Sequence, residues 1–464
     1  MTLTEQLAEY TLKQSSGPIP SAVKALGQSF FIDCLGCMIA GSQGEPSRIA
    51  AECCKDLYGV KGEATVLATG GLKLDACSAA LINGISSHYH DYDDVLPTLN
   101  GHPTAAVLPA VLALAEKLNK SGGEALAAYI TGVEVVDIMA RGFNQAGHIH
   151  YSKGWHSTSS LGIFGATAAS ALLLGLNSQQ LVNAFGLAAS ESSGLQGNFG
   201  TMAKAFHAGR AAEKGIWVAE MAARGYGANP SIMEVTGGFA DVTTGTMDMA
   251  AMTERMNSGA SVFLDPGLTM KPYPCCKCNH NPIDGIYELM HEHGLKPQDI
   301  KKVIVGVQPF FIGCLKYPAA ATALEKKFSL NYNVAFVMVY GKRPAIRDYP
   351  GGTVTDAIML ENMNKVEMVH DPSIAGEAYA NGTWDTKMTV VLNDDRQLNT
   401  RVLHSRGESA NPLSKDEVLE KFRDCMSITV DAAKAEPVIE LLDDLEKLDS
   451  INKLMAVIEA AGKQ

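Results

Sequence analysis

The stretch AAVLPAVLALAEK, residues 105–117, decides the class of fold that this sequence predicts. Its apolar residues recur three and four positions apart, which is the period of one face of an α-helix. The same pattern recurs through most of residues 1–266, where Gly and Ala are abundant and strand-like alternation is scarce. Because small side chains let helices approach closely, we expect a tightly packed helical domain.

Helix boundaries in this region are readable from polar and glycine residues. The apolar run 166–176 should end at Gly175-Leu176, and Ser178-Gln179-Gln180-Leu181 should open the next helix. Near Asp265-Pro266-Gly267 the composition changes, and residues 303–307 form the first convincing β-branched run. A second domain of α+β type is therefore expected to begin there.

The second domain should contain a hairpin and helices. Residues 387–392 and 397–403 flank Asn393-Asp394-Asp395, and Asn and Asp tolerate turn geometry. Helices are predicted over 282–292 and 330–340.

The tail of the chain returns to helical periodicity. Ser414 with Glu417 three residues later is a capping box, so a helix should start here. The order helix, mixed, helix predicts a mostly α protein in which a smaller α+β domain, residues 267–403, is inserted into a large helical domain. That large domain is formed by residues 1–266 and 404–464.

Length and charge limit the classes of function. A chain of 464 residues predicts roughly two to three domains. Its net charge of -12 is the wrong sign for nucleic acid, although a local cationic pocket for an anionic metabolite is compatible with it. The start, MTLTEQLAEYTLKQ, does not resemble a secretory signal, and the apolar runs are shorter than the ~20 residues of a membrane helix. We expect a cytoplasmic protein with no membrane partner and with its ten cysteines reduced.

The densest polar cluster is HYHDYDD, residues 88–94, followed by Gly101-His102-Pro103. On a helix, His88 with Asp91 and His90 with Asp94 would share a face, which suits a histidine oriented by a carboxylate. The alternative is a helix end rich in capping acids with two structural histidines.

Two further clusters carry charged or titratable groups. His156 lies beside hydroxyls in GWHST, residues 154–158, at an expected helix start where free N–H groups favour anions. Lys204, His207 and Arg210 follow at intervals of three, so one helical face would present a clamp for carboxylate or phosphate. The alternatives are a structural histidine and a solvated basic face.

The segment KPYPCCKCNH, residues 271–280, lies where we place the change of domain. Ligand sites favour such interfaces. Its cysteines and His280 are zinc-type ligands, but no second CxxC or HxxxH element accompanies them, so we expect no metal. The alternative is a stiff linker made by two prolines.

Taken together, six segments in this order resemble the MmgE/PrpD family, which includes 2-methylcitrate dehydratase, cis-aconitate decarboxylase and an iminodisuccinate epimerase. The segments are HYHDYDD with GHPTAAVLPAVLALAE, GWHSTSSLGIFGA, GTMAKAFHAGRAA, KPYPCCKCNH, KFSLNYNVAFVMVYG and NPLSKDEVLEKF. The resemblance implies a helical domain with a smaller α+β lid, and a homodimer. It also implies an active site in the cleft between the helical domain and the lid, where the reaction needs neither a metal nor an organic cofactor.

Matched by motif, the resemblance implies a catalytic set of five residues: Asp91, His102, His156, Lys204 and His280. We expect His102 and His156 to act as general base and acid, in an order left open, and Asp91 to orient a neighbouring histidine. Lys204 and His280, with His207, Arg210 or Lys271, are expected to bind and polarise substrate carboxylates.

The expected activity is that of a cofactor-independent lyase that dehydrates a 2-methylcitrate-like hydroxy acid. An epimerase of an iminodisuccinate-like dicarboxylate comes second, favoured by the altered position Val95, and a decarboxylase of cis-aconitate type comes third. Val95 stands where many relatives have Thr, and the loop from it to His102 is one residue longer than in the decarboxylases, which disfavours that activity. From a different class, a carboxylate-binding protein without catalysis is the remaining alternative.

Overall fold

The computed structural model describes residues 1–374, 384–430 and 434–462. These residues are mostly helical, as expected. The helices of the first 260 residues are α1 (Leu3–Ser16), α2 (Ser21–Gly41), α3 (Glu45–Tyr58), α4 (Ala76–Tyr89), α5 (Pro103–Lys117), α6 (Gly122–Phe143), α7 (Gln145–Ser152), α8 (Ser157–Ser160), α9 (Gly162–Leu174), α10 (Ser178–Glu191), α11 (Met202–Ala223), α12 (Phe239–Thr243) and α13 (Met249–Ser258).

The rest of the chain adds helices and a sheet. The later helices are α14 (His280–His293), α15 (Pro309–Cys314), α16 (Ala323–Lys326), α17 (Leu330–Tyr340), α18 (Ala357–Asn364), α19 (Lys415–Ser427), α20 (Glu436–Asp443) and α21 (Ile451–Ala461). The strands are β1 (Ala64–Thr65), β2 (Lys73–Leu74), β3 (Ile300–Val307), β4 (Val366–His370), β5 (Thr386–Leu392) and β6 (Gln397–Val402).

The buried apolar residues form two main clusters. The larger one combines residues from the first 270 positions with residues 418–461, so both ends of the chain share it. The second lies almost wholly between residues 273 and 398. The short pair β1 and β2 lies within the first part, which we expected to be all helical; there the Glu116 carboxylate accepts hydrogen bonds from the backbone N–H and the hydroxyl of Thr65.

Close packing of α4 against α11 places the end of α4 beside the start of α11. A Cβ added at Gly84 would lie 2.6 Å from the Cα of Gly209, so only glycine permits this approach. The end of α4 leads directly to Asp91, and the first turn of α11 carries Lys204. The glycine contact thereby brings a carboxylate and an ammonium group together.

The four-stranded sheet has the order β4-β3-β5-β6. β3 pairs in parallel with β4 and antiparallel with β5, with Val305 opposite Met388. β5 and β6 form the expected hairpin, and Asp395 in its turn has a φ of 63°. Helices α14 and α17 pack against the sheet strands.

A buried ion pair connects the tail to the centre of the molecule. Lys421 of α19 lies 2.5 Å from an Asp33 carboxylate oxygen on α2. Its ammonium group also donates to the backbone carbonyls of Tyr92 and Lys271. The returning helix therefore fixes two loops that carry candidate site residues.

Two helical stretches are long and apolar enough to cross a membrane by length and composition, Ser21–Gly41 and Ser157–Leu174. Two-thirds of the first and nearly nine-tenths of the second are buried inside the protein. Core helices pass the same length test, so the feature is weak evidence for a membrane.

Candidate active site

A cavity lies between the helical part and the part that contains the sheet. From the helical part it is lined by Asp91, Val95, Asn100, Gly101, His102, Tyr151, His156, Phe199 and Lys204. From later in the chain it is lined by Lys271, Cys276, Lys277, Cys278, Phe310, Cys314, Phe328 and Trp384. Five of the eight predicted site residues are therefore brought together: Asp91, His102, His156, Lys204 and Lys271.

Asp91 is the electrostatic centre of the cavity. Its Oδ1 accepts from the ammonium groups of Lys204 at 2.9 Å and Lys271 at 2.7 Å. Although burial opposes ionisation, these two lysines hold the pKa of Asp91 well below its usual range. Two ammonium groups therefore converge on one carboxylate oxygen at the cavity wall, where both can also donate to an anionic ligand.

The loop after α4 explains why the helical pairs that we expected do not form. Because α4 ends at Tyr89, Asp91 takes a left-handed φ of 53°, a conformation costing about 1–3 kcal/mol that is typical of functional sites. His88 therefore faces Asp93 rather than Asp91. The Nε2 atom of His90 lies 3.3 Å from the backbone carbonyl of Ala40 instead of meeting Asp94.

Asp93 holds two histidines through one buried carboxylate. Its oxygens lie 2.9 Å from Nδ1 of His88 and 3.1 Å from Nδ1 of His102. Despite the opposing effect of burial, the two imidazoles hold the pKa of Asp93 well below its usual range. The Asp93 oxygen lies closer to Nδ1 of His102 than the Asp91 oxygen lies to Nε2, at 3.1 Å against 3.6 Å, which favours the tautomer with the proton on Nδ1 and leaves Nε2 as a base.

The position of His102 follows from local structure. It precedes α5, whose first residue is Pro103, a position where proline is favoured. Its backbone N–H donates to the hydroxyl of Thr158 at 3.0 Å. Burial lowers the pKa of His102, so its imidazole is neutral at neutral pH.

His156 is positioned by a second histidine. It lies at the start of α8, and its Nδ1 is 3.0 Å from Nδ1 of His207. Burial lowers the pKa of both rings, that of His207 to about 4, so both imidazoles are neutral near pH 7. One ring then donates and the other accepts, as a neutral pair requires.

The predicted cationic clamp on α11 is only partly present. Lys204 reaches the cavity, whereas His207 lies behind His156 and does not line it. Arg210 pairs with the Glu213 carboxylate one turn along α11 and is one-third exposed. Of the three, Lys204 alone is placed to contact a ligand directly.

The segment 271–280 presents different residues from those expected. The Nε2 atom of His280 lies 3.2 Å from the backbone carbonyl of Cys275, and its ring packs against Tyr273 outside the cavity lining. Cys276, Lys277 and Cys278 line the cavity instead. Lys277 donates to the hydroxyl of Ser405 at 2.7 Å and to the Glu408 carboxylate at 2.6 Å.

Ligand atoms of His88, Asp91, Asp93 and His102 lie within 4.8 Å of one another, a spacing that a metal ion could use. The chemistry of the group does not fit a cation. Two ammonium groups already contact Asp91, and Asp93 is shared by two imidazoles. A metal ion would have to displace these partners against the charge of both lysines.

Sequence reasoning missed Asp93 and Trp384. Asp93 lies in HYHDYDD, but helical spacing pointed to its neighbours because the helix end at Tyr89 was not foreseen. Trp384 lies 6% exposed on the cavity wall, and its indole Nε1 has no hydrogen-bond partner among the residues that the structure describes. No signal in the sequence marks this tryptophan.

Two buried lysines that contact one carboxylate, next to neutral imidazoles, point to an enzyme that acts on a carboxylate. The chain belongs to the MmgE/PrpD family. Residues 5–251 match the sequence model of the MmgE/PrpD N-terminal domain, and residues 273–447 match that of the MmgE/PrpD C-terminal domain.

Similar proteins support the same family. The cis-aconitate decarboxylase of Homo sapiens is 26% identical over 470 residues, covering 99% of this chain and 95% of the relative. The cis-aconitate decarboxylase-like protein oryM of Aspergillus oryzae is 24% identical, covering 98% and 97%. The cis-aconitate decarboxylase of Aspergillus terreus is 22% identical, covering 99% and 96%.

Proposed function

We propose that this protein is a lyase that removes a proton next to a carboxylate of a small di- or tricarboxylate. Its proposed reaction is dehydration of a 2-methylcitrate-like hydroxy acid. The observation that carries the proposal is the wall on which His102, held by Asp93, lies beside Lys204 and Lys271. The proposed base, His102, and the two ammonium groups that would stabilise the developing negative charge thus face one cavity.

Substrate binding would use the two ammonium groups on the cavity wall. Removing a proton next to a carboxylate builds negative charge on that carboxylate in the transition state. Lys204 and Lys271 are held in place by Asp91 before substrate arrives, so little reorganisation is needed as the charge develops. Trp384 offers an additional N–H donor for a second carboxylate or a hydroxyl.

His102 and His156 differ in which ring nitrogen carries the proton, because their hydrogen-bond partners differ. Asp93 favours a proton on Nδ1 of His102, so its Nε2 would accept the substrate proton. If Nδ1 of His207 donates to Nδ1 of His156, the His156 proton lies on Nε2. His156 would then protonate the leaving hydroxyl, so that a carbon–carbon double bond and one water form.

Decarboxylation is the second candidate, and the activity of the named relatives favours it. In that case the lysines would hold the substrate while carbon dioxide leaves, and a histidine would protonate the resulting carbanion. The apolar side chain of Val95 on the cavity wall speaks against decarboxylation of cis-aconitate, because it offers no hydroxyl to a substrate polar group.

The test is proton NMR of the purified protein with separate samples of 2-methylcitrate and cis-aconitate. Formation of a new alkene from 2-methylcitrate with loss of water is expected. Loss of a carboxylate from cis-aconitate would instead support the decarboxylase. If a polycarboxylate raises the melting temperature but no acid is converted, the proposal of catalysis fails and a binding protein remains.

A further inference from the structure

Lys327 is a buried lysine that the proposed chemistry does not use. It lies between α16 and α17 and is only 3% exposed. In the part of the chain that the structure describes, its ammonium group forms no ion pair with a carboxylate. Burying a cation without a carboxylate is costly, so the contacts that this group does make are informative.

The Lys327 ammonium group contacts the residue next to Asp91. Its Nζ donates to the backbone carbonyl of His90 at 2.6 Å and lies 3.3 Å from Nδ1 of the same residue. Nε2 of that ring lies 3.3 Å from the carbonyl of Ala40, which favours a proton on Nε2 and leaves Nδ1 as an acceptor. Two acceptors of His90 therefore face one ammonium group.

The backbone of Lys327 contacts a second loop of the site. Its carbonyl oxygen accepts from the backbone N–H of Cys276 at 2.9 Å and from the side-chain amide of Asn279 at 3.0 Å. The same loop carries Lys271, whose ammonium group contacts Asp91. One residue thus connects the turn at Asp91 with the loop that supplies Lys271.

Three successive carbonyl groups of this turn accept from buried lysines. The bonds run from Lys327 to His90, from Lys271 to Asp91 and from Lys421 to Tyr92. Hydrogen bonds from a charged donor are roughly twice as strong as neutral ones. The left-handed φ of Asp91 is a strained conformation that persists only when the surroundings hold it, and these bonds do so.

We propose that Lys327 is a positioning residue that holds the turn at Asp91 and, through it, the two ammonium groups that would face the substrate. The inference rests on the proposed function only for the role of Lys204 and Lys271 in binding a substrate carboxylate. The Oδ1 atom of Asp91 contacts both groups, so a shift of the turn moves both.

The charge of Lys327 depends on pH near neutrality. Burial lowers its pKa to about 7, so the ammonium form predominates below that pH and the neutral amine above it. The ionisable groups around it are those of His90, Asp91, Lys204, Lys271, Cys275 and Tyr349. Burial lowers the pKa of His90 and raises the pKa values of Cys275 and Tyr349, so these three groups stay neutral between pH 6 and pH 9.

The test compares the wild type with Lys327→Met and Lys326→Met. Methionine is an unbranched side chain without the charge or the N–H donors. Lys326 is the matched control, because it is also buried and its Nζ donates to the backbone carbonyl of Pro350 at 2.7 Å, away from the cavity lining. Lys327→Gln is the second variant if Lys327→Met does not fold, and the same outcomes apply to it.

The first readout is the crystal structure of each protein at pH 6, which needs no substrate. We expect Lys327→Met to release the turn, so that the Asp91 carboxylate loses its contact with Lys204 or Lys271. Lys326→Met should keep both contacts. If Lys327→Met keeps the left-handed turn and both lysine contacts, the proposal is overturned.

The second readout is kcat/KM as a function of pH on the acid that the wild type converts. A misplacement of about 1 Å can lower a rate by about 10²-fold, so Lys327→Met should lower kcat/KM at pH 6 by about 10- to 100-fold. Because the wild type loses the Lys327 charge above about pH 7, this difference should shrink toward pH 9, which a purely structural defect would not cause.

Two kinetic results would also refute the role of Lys327. One is an equal loss at pH 6 in Lys326→Met, and the other is a difference between wild type and Lys327→Met that stays constant to pH 9. If the wild type converts no acid, the proposed function fails, and the crystal structures alone decide whether Lys327 holds the turn.

Discussion

Replacing Asp93 by Asn tests how the proposed base is held. The substitution keeps the shape of the side chain but removes the charge that faces Nδ1 of His88 and His102. The new amide N–H₂ is a donor and would face the N–H donor at Nδ1 of His102. This donor–donor contact would shift His102 to the tautomer with its proton on Nε2. That nitrogen can then no longer accept a proton from substrate.

The expected size of the effect follows from the lost tautomer. In serine proteases, an Asp-to-Asn change behind the catalytic histidine lowers kcat by about 10⁴-fold, and general-base catalysis contributes about 10²–10⁴-fold. Asp93→Asn should therefore lower kcat by about 10³-fold, or about 4 kcal/mol. KM should change by less than about threefold, because Lys204 and Lys271 remain.

The neighbouring carboxyl provides a matched control. Burial raises the pKa of Asp94 well above its usual range, which favours the uncharged form, and its side chain accepts from the hydroxyl of Thr104 at 2.7 Å. Asp94→Asn should thus leave kcat within about threefold of the wild type. Nitrogen-15 NMR of the histidine rings reports the tautomer directly, and an unchanged tautomer and kcat in Asp93→Asn would refute the reasoning.

Three further outcomes follow from single contacts. Lys204→Met should lower kcat/KM by about 10²-fold, because a charged hydrogen bond to substrate is lost. Lys214→Met on the same helix is the control and should leave kcat/KM unchanged in steady-state kinetics. Trp384→Phe should raise KM about fivefold without moving the melting temperature, since its N–H has no partner in the described part of the chain. Burial lowers the pKa of His150 to about 3, so between pH 7 and pH 5 the unfolded chain binds a proton that the native state does not. The stability advantage of the wild type over His150→Gln should therefore shrink by about 2 kcal/mol over that range in urea titrations, and a constant advantage would contradict the burial effect.

Local sequence signals predicted the elements well. The helix over 105–117 is found as α5, and Ser414 and Glu417 form the expected capping box. The helix over 166–176 ends at Leu174 because Gly175 adopts a left-handed φ of 71°. These features depend on a few neighbouring residues, which is why the sequence alone carries them.

Contacts between distant segments could not be predicted. His280 shares a motif with the cavity residues, yet the turn at Cys275 directs Cys276 and Lys277 to the cavity. Arg210 has the expected helical spacing, but its guanidinium group forms an ion pair with the Glu213 carboxylate one turn away. Spacing shows which residues share a face, whereas packing decides which face meets the cavity.

Several expectations stay predictions. The described structure places both chain ends in one apolar cluster, but the boundaries at 266 and 403 are not tested by it. The matched C-terminal family domain runs from 273 to 447 and so includes part of the returning segment. The homodimer and the cytoplasmic location also await direct measurement.

The most direct test of the central claim follows the substrate proton in deuterium oxide. Proton NMR would compare wild type and His102→Ala on the acid that the wild type converts. We predict that the wild type removes the proton next to the carboxylate and that His102→Ala slows this at least about 100-fold with little change in KM. Proton removal at the wild-type rate in His102→Ala would contradict the account.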